Sequence, residues 1–234
     1  MSLTRKQRIC VLLSGSGTTF AAILDYQQRH QTHFEITHVV SDNPRAQGLD
    51  RARAHNIPTT VVPYKQFACR SDFDQELLDT VVACAPDLVV LAGFMRIVDS
   101  AFVARFFNKL MNIHPSLLPK YPGLNTYERV LSAGESRHGS SVHFVNNVLD
   151  GGPVIAQVVV LIDNNDSIAT LSARVQEAER MLYPVVIDWF CDGRLTLQQG
   201  QAHLDGKPLV TPRIFHFDQH HGELHLESTK SSTG

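Results

Sequence analysis

The 234-residue chain has only four cysteines, and no two form a C-x-x-C pair. Cys10, Cys69, Cys84 and Cys191 stand singly, which excludes a disulfide framework and a cysteine zinc site; Cys10 and Cys84 read as small core residues. Charge of one sign is missing as well. The 21 Lys and Arg against 23 Asp and Glu leave −2, so there is no basic field to attract nucleic acid. The longest apolar runs, such as Leu88-Val89-Val90-Leu91-Ala92, are strand length, whereas a membrane helix needs roughly 20 apolar residues. The opening Met1-Ser2-Leu3-Thr4-Arg5-Lys6 carries no signal-peptide cleavage pattern. A cytoplasmic globular protein with no membrane partner is therefore expected, long enough for one large domain with or without an extension.

What the chain does contain is an alternation of β-rich and helical segments. Residues 9–13 form a strand that ends in Ser14-Gly15-Ser16-Gly17-Thr18-Thr19, after which Phe20, Ala21, Ile23, Leu24 and Tyr26 recur at helical spacing. Strands are predicted at 35–40, 59–62, 87–92 and 109–114, with helices near 48–55, 71–85 and 100–106. This order predicts an α/β, doubly wound, mostly parallel sheet. After a helix at 125–133, residues 139–146 and 154–162 read as antiparallel strands, followed by a long helix over 167–192 in which Pro184 predicts a kink. Short β-like runs over 194–210 around Asp205-Gly206-Lys207-Pro208 predict a hairpin packed on the sheet's edge. The last segment carries His216, His220, His221 and His225 without tetrahedral ligand spacing, and a solvated, frayed tail is expected there.

The chemistry concentrates at Asn112-Ile113-His114-Pro115. In a strand Leu110, Asn112 and His114 share a face, and Pro115 holds His114 out of the helical region, so an oxyanion donor and a general acid or base stand side by side. Taken singly, His114 also fits an ordinary strand-end histidine and Asn112 a loop cap. Asp150, in Leu149-Asp150-Gly151-Gly152-Pro153, sits on a turn that can push its carboxylate toward a neighbour; contact with His114 would orient the ring and favour imidazolium, and without it Asp150 is a turn former. The Ser14–Thr18 turn offers backbone N–H groups at a helix N-terminus, where phosphate is favoured. Phe20 occupies the place of a third glycine and no Lys-Ser/Thr pair follows, so a mononucleotide or sugar phosphate fits better than a dinucleotide, the alternative being a plain strand-to-helix turn. Ala92-Gly93-Phe94-Met95-Arg96-Ile97-Val98 ends a central strand with an apolar surface beside one Arg, suited to an aromatic ligand with a carboxylate or to the core. His143 reads as half-buried and Glu179 as an exposed helix charge.

Taken together with Pro86-Asp87-Leu88, Pro115-Ser116-Leu117-Leu118-Pro119-Lys120-Tyr121-Pro122-Gly123-Leu124 and Ser141-Val142-His143-Phe144, these segments run over about residues 8–205 in an order that resembles the folate-dependent formyltransferases, in particular the glycinamide ribonucleotide formyltransferase family. The resemblance implies the formyltransferase fold, with a single domain over 1–210 (a mononucleotide-binding half about 8–106, a folate and catalytic half about 107–210) and a tail over 211–234. It implies formyl transfer from 10-formyltetrahydrofolate to the amine of glycinamide ribonucleotide in purine biosynthesis, without metal, by a monomer or homodimer. By matching positions it implies Asn112, His114 and Asp150 as catalytic residues. Gly17, Thr18, Thr19 and Glu179 would bind the ribonucleotide, and Arg70, Met95, Arg96, Ile97, Val98 and Asn112 the folate. Thr19, Arg180, Asn125 and Tyr127 depart from the pattern, standing for Asn, His, His and His. The alternative is hydrolysis of 10-formyltetrahydrofolate, which the retained phosphate turn argues against.

Overall fold

Central strands that are apolar on both sides need cover on both faces, and the chain provides it with helices between strands. The computed structural model describes residues 5–227. The first half alternates β1 (Gln7–Leu13), α1 (Thr18–Arg29), β2 (Phe34–Ser41), α2 (Gln47–Ala54), β3 (Thr59–Val61), α3 (Arg70–Ala83), β4 (Leu88–Leu91), α4 (Ser100–Arg105) and β5 (Leu110–His114). The second half holds α5 (Thr126–Ser132), β6 (Arg137–Phe144), β7 (Val154–Leu161), α6 (Ile168–Cys191), β8 (Leu195–Gln198), β9 (Gln201–Leu204), β10 (Lys207–Pro208), β11 (Arg213–Asp218) and β12 (Glu223–Leu226).

Nine strands form one sheet in the order β12-β11-β7-β6-β5-β4-β1-β2-β3. Strands β1 to β5 pair parallel, β6 runs against both β5 and β7, and β7 therefore points the same way as β5. The doubly wound, mostly parallel sheet is thus as the sequence predicts. One face packs on α1, α2, α5 and α6 through Phe20, Leu49, Val130, Leu171 and Val186, among others. The other packs on α3 and α4 through Phe73, Leu77, Val81, Phe102 and Val103. Among the described residues no helix is long and apolar enough to cross a membrane.

Two local expectations are corrected. The segment expected to fray instead adds β11, parallel to β7, and β12, antiparallel to β11. Phe215 and Phe217 lie opposite Leu226 and Leu224, and Phe215, Phe217 and Leu224 pack against the core, Phe215 6.1 Å from Trp189. The four histidines mask that alternation, and no group of three or more metal-ligating side chains converges among the described residues. With β11 occupying the edge beside β7, the hairpin expected there forms a separate three-stranded sheet, β10-β9-β8, anchored by buried Leu195, Leu197, Ala202 and Leu204. The long helix is present as read: α6 spans Pro184, which is buried, and the ring costs one backbone hydrogen bond, offset by the apolar stripe on either side.

The neighbouring Tyr183 is fully buried, and its hydroxyl lies 3.2 Å from the Leu91 carbonyl and 3.0 Å from that of Met111, tying α6 to the ends of β4 and β5. Tyr183→Phe, which removes that donor without changing shape, is expected to lower stability in urea unfolding by about 1–2 kcal/mol with an unchanged m-value.

Candidate active site

The carboxyl ends of β1, β4, β5 and β7 lie along one edge of the sheet, where ligands collect in this architecture. On β5 the side chains alternate as expected. Met111 and Ile113 turn to the face of α6 and Leu110 to the face of α3 and α4, on the side shared by Asn112 and His114. Over β5 to β7 this second face is covered by the loop after His114. Leu118 N–H donates to Ser141 Oγ (3.0 Å), Ser141 Oγ donates to Ser116 O (2.6 Å), and Gln157 Nε2 donates to Leu118 O (2.8 Å). Buried Ser141 and Gln157 thereby clamp that loop to the sheet.

His114 is held at both nitrogens. Nδ1 lies 3.3 Å from Asp150 Oδ2 and Nε2 lies 3.0 Å from the carbonyl of Tyr121, so a doubly protonated ring has an acceptor for each N–H. Two backbone conformations create this arrangement. Tyr121 (φ 54°) and Asp150 (φ 50°) are both left-handed, a costly state for residues other than glycine and one found where a site requires it. The Gly123 N–H donates to Asp150 Oδ2 at 2.8 Å, and Gly152 lets the Asp150 loop close because a side chain there would collide with the Phe144 carbonyl.

The residue that sequence reasoning missed is His143. Expected to be half-buried, it is fully buried directly opposite Asn112. Its Nδ1 lies 2.9 Å from the Phe144 carbonyl and must donate, which leaves Nε2 as an acceptor for Asn112 Nδ2 at 3.2 Å. Burial pushes the His143 pKa down, which favours the neutral ring, and Nε2 lies 3.8 Å from Asp150 Oδ1. The Asn112 amide is thus fixed with one Nδ2 proton engaged and the other available. The signal that could have found His143 was the pairing of 110–114 with the predicted strand 139–146.

At the end of β1 the turn leads into α1 with Gly17 at φ 69°, and its α-carbon packs so closely on Gly48 that a side chain would clash. Gly48 N–H donates to the Gly15 carbonyl (3.1 Å) and Arg51 Nε to the Ser16 carbonyl (3.1 Å), bracing the turn from behind. No side chain caps the helix, so the first N–H groups of α1 are open to an anion.

The loop after β4 presents Met95 and Ile97 outward, 67% and 62% exposed, rather than to the core, and Leu124, Val148 and Leu149 are likewise exposed apolar side chains on the flanking loops. The two arginines expected beside it are both engaged. Arg70 Nε lies 2.8 and 2.7 Å from the Asp74 oxygens, and its Nη2 donates to the Ile97 carbonyl. Arg96 Nε donates to Asp42 Oδ2 at 2.8 Å.

Glu179 is not the exposed helix charge read from the sequence. It is buried on the α6 face of the sheet, opposite to Asn112 and His114, and Ser140 Oγ donates to its carboxylate. Burial raises its pKa to about 7 against the opposing effects of Ser140 and Arg180. Nearby on the same face, burial lowers His138 to about 4 and raises Tyr127. Arg180 lines an open groove between α1 and α6 with Thr18 and Arg51, next to the phosphate turn.

Residues 7–187 match the formyl transferase family. The phosphoribosylglycinamide formyltransferase of Escherichia coli K12 is 47% identical over 201 residues, covering 86% of this chain and 95% of that protein. The chain belongs to the phosphoribosylglycinamide formyltransferases. The solved structure of the Coxiella burnetii phosphoribosylglycinamide formyltransferase superposes with a TM-score of 0.84 at 46% identity, covering 88% of this chain and 97% of that one. A formyltetrahydrofolate deformylase from Pseudomonas syringae pv. tomato shares the fold, with a TM-score of 0.80 at 24% identity, covering 86% of this chain and 66% of that one. As a phosphoribosylglycinamide formyltransferase family member the chain is a formyl-transferring enzyme, and β11 and β12 lie beyond the stretch matched to the family.

Because Glu179 ionises near 4.5 when unfolded and near 7 when folded, its contribution to stability is fully present below pH 4.5 and is lost as pH rises to about 7. Glu179→Gln, which keeps an acceptor for Ser140, is expected to be more stable than the parent at pH 8 by up to about 3 kcal/mol, and equal to it at pH 4, in chemical denaturation.

Proposed function

We propose that this enzyme transfers the formyl group of 10-formyltetrahydrofolate to the amine of glycinamide ribonucleotide in purine biosynthesis, with Asn112, His114 and Asp150 as its catalytic residues. The observation that carries the reading is the His114 ring spanning the Asp150 carboxylate and the Tyr121 carbonyl beside a pre-oriented Asn112 amide, on the same sheet edge as an uncapped phosphate turn.

The ribonucleotide phosphate is received by the Gly17, Thr18 and Thr19 backbone and hydroxyls, and its ribose lies near Glu179. The donor's pterin lies along Met95, Ile97 and Val98, with Arg96 contributing its main chain and Arg70 at the end where the donor's carboxylates sit. The amine lone pair attacks the formyl carbon, a C–N bond forms and the carbonyl oxygen becomes an oxyanion facing the free Asn112 N–H and the His114 ring. His114 carries the proton that leaves the attacking amine to N10 as the C–N10 bond breaks, and Asp150 holds the ring in place throughout. No metal ion is required by this scheme. A deformylase built on the same residues admits water instead of the amine, and has no use for a phosphate turn.

Tetrahydrofolate formation followed by absorbance, with and without glycinamide ribonucleotide, tests the reading. Product that depends on the ribonucleotide is the expected result, and equal release without it would assign the hydrolase. Asn112→Ala is expected to lower kcat about 100- to 1,000-fold, and His114→Ala at least about 100-fold, with tetrahydrofolate affinity largely kept. Near-normal turnover of His114→Ala would remove His114 from the mechanism.

A further inference from the structure

Arg96 would be read as a cation for the donor's carboxylates, yet its side chain is already committed. Its Nε donates to Asp42 Oδ2 at 2.8 Å, and its guanidinium lies 4.0 Å from the centre of the Tyr64 ring. Asp42 stands just beyond β2, with a side chain only 3% exposed, and its Oδ1 is buried without a hydrogen-bond partner among the described residues. A carboxylate so placed is a costly group unless a cation neutralises it, and Arg96 is its ion-pair partner here. The Tyr64 N–H donates to the Asp42 carbonyl (3.2 Å), which closes a three-residue stack of carboxylate, guanidinium and aromatic ring.

The same loop is fixed at three further points. Met95 N–H donates to Ser14 Oγ at 2.8 Å, Ser14 N–H donates to the Gly93 carbonyl at 3.0 Å, and Arg70 donates to the Ile97 carbonyl. With residues 93, 95, 96 and 97 each tied down, the main chain that carries the exposed Met95 and Ile97 side chains is held in one arrangement without burial of those side chains. Pre-organising an exposed apolar lip lowers the ordering cost of any flat ligand that lies on it.

We propose that Asp42 and Tyr64 are positioning residues for the formyl donor, acting through Arg96 to set the 93–98 loop rather than through contact with the donor's carboxylates. This rests on the reading of that loop as the donor site given above.

The test measures calorimetric affinity for two ligands, tetrahydrofolate and tetrahydropteroate, which share the pterin and the aminobenzoyl group but differ in the glutamate. Asp42→Asn keeps the shape and removes the charge, Tyr64→Leu removes the ring and Tyr64→Phe keeps it. Asp42→Asn and Tyr64→Leu are expected to weaken both ligands by a similar factor, about tenfold, while Tyr64→Phe binds as the parent does. In turnover the donor KM rises by the same factor and kcat stays within about twofold. Affinities unchanged in both variants, or a loss confined to the ligand that carries glutamate, would overturn the proposal. Should Asp42→Asn not fold, the Tyr64 pair decides alone. Parent protein that binds neither ligand overturns the donor-site reading and this inference together; ribonucleotide-dependent turnover with unaffected variants overturns only the inference.

Discussion

Because β6 runs against β5, His143 arrives opposite Asn112 and Ser141 opposite His114, and the rest of the site follows from that pairing. His143, held by the Phe144 carbonyl, orients the Asn112 amide. Ser141 and Gln157 clamp the loop that brings the Tyr121 carbonyl to His114. The turn between β6 and β7 returns Asp150 to the other nitrogen of the same ring. A parallel neighbour would need a long crossover connection and could not bring a tight-turn carboxylate back over β5. The reversal of β6 inside a mostly parallel sheet is what brings an amide, an imidazole and a carboxylate together at β5.

The polar interior is correspondingly specialised. Burial lowers the pKa of His143 and His138 and raises that of Glu179 to about 7, while the buried His114 faces an acceptor at each nitrogen. Stability is spent at Glu179, whose burial works against folding above neutral pH.

Much of this was legible where the determining signal is local. The Asn112-x-His114 alternation, the glycine turn before α1 and the alternation of strands and helices each depend on residues a few positions apart, and the structure has them as read. The position of His143 depends on strand register, which no local period encodes. Arg96 was read as available because its partner, Asp42, lies 54 residues away. Glu179 was read as exposed because helical spacing alone does not reveal that Ser140 of β6 packs on it. At the end of the chain, Phe215, Phe217, Leu224 and Leu226 carried a period of two all along, but the intervening histidines and acids made the segment read as solvated.

That last pairing bears on how the chain is made. The outer edge of β7 carries a run of valines at 158–160 and is covered only when residues 213–216 arrive, after α6 and the small sheet have been synthesised. At a typical ribosomal pace of about 5–20 residues per second, that β-prone edge stands unpaired for several seconds in every nascent molecule. Strand β11, which carries none of the site's side chains, therefore closes the interval in which one newly made copy can pair with another.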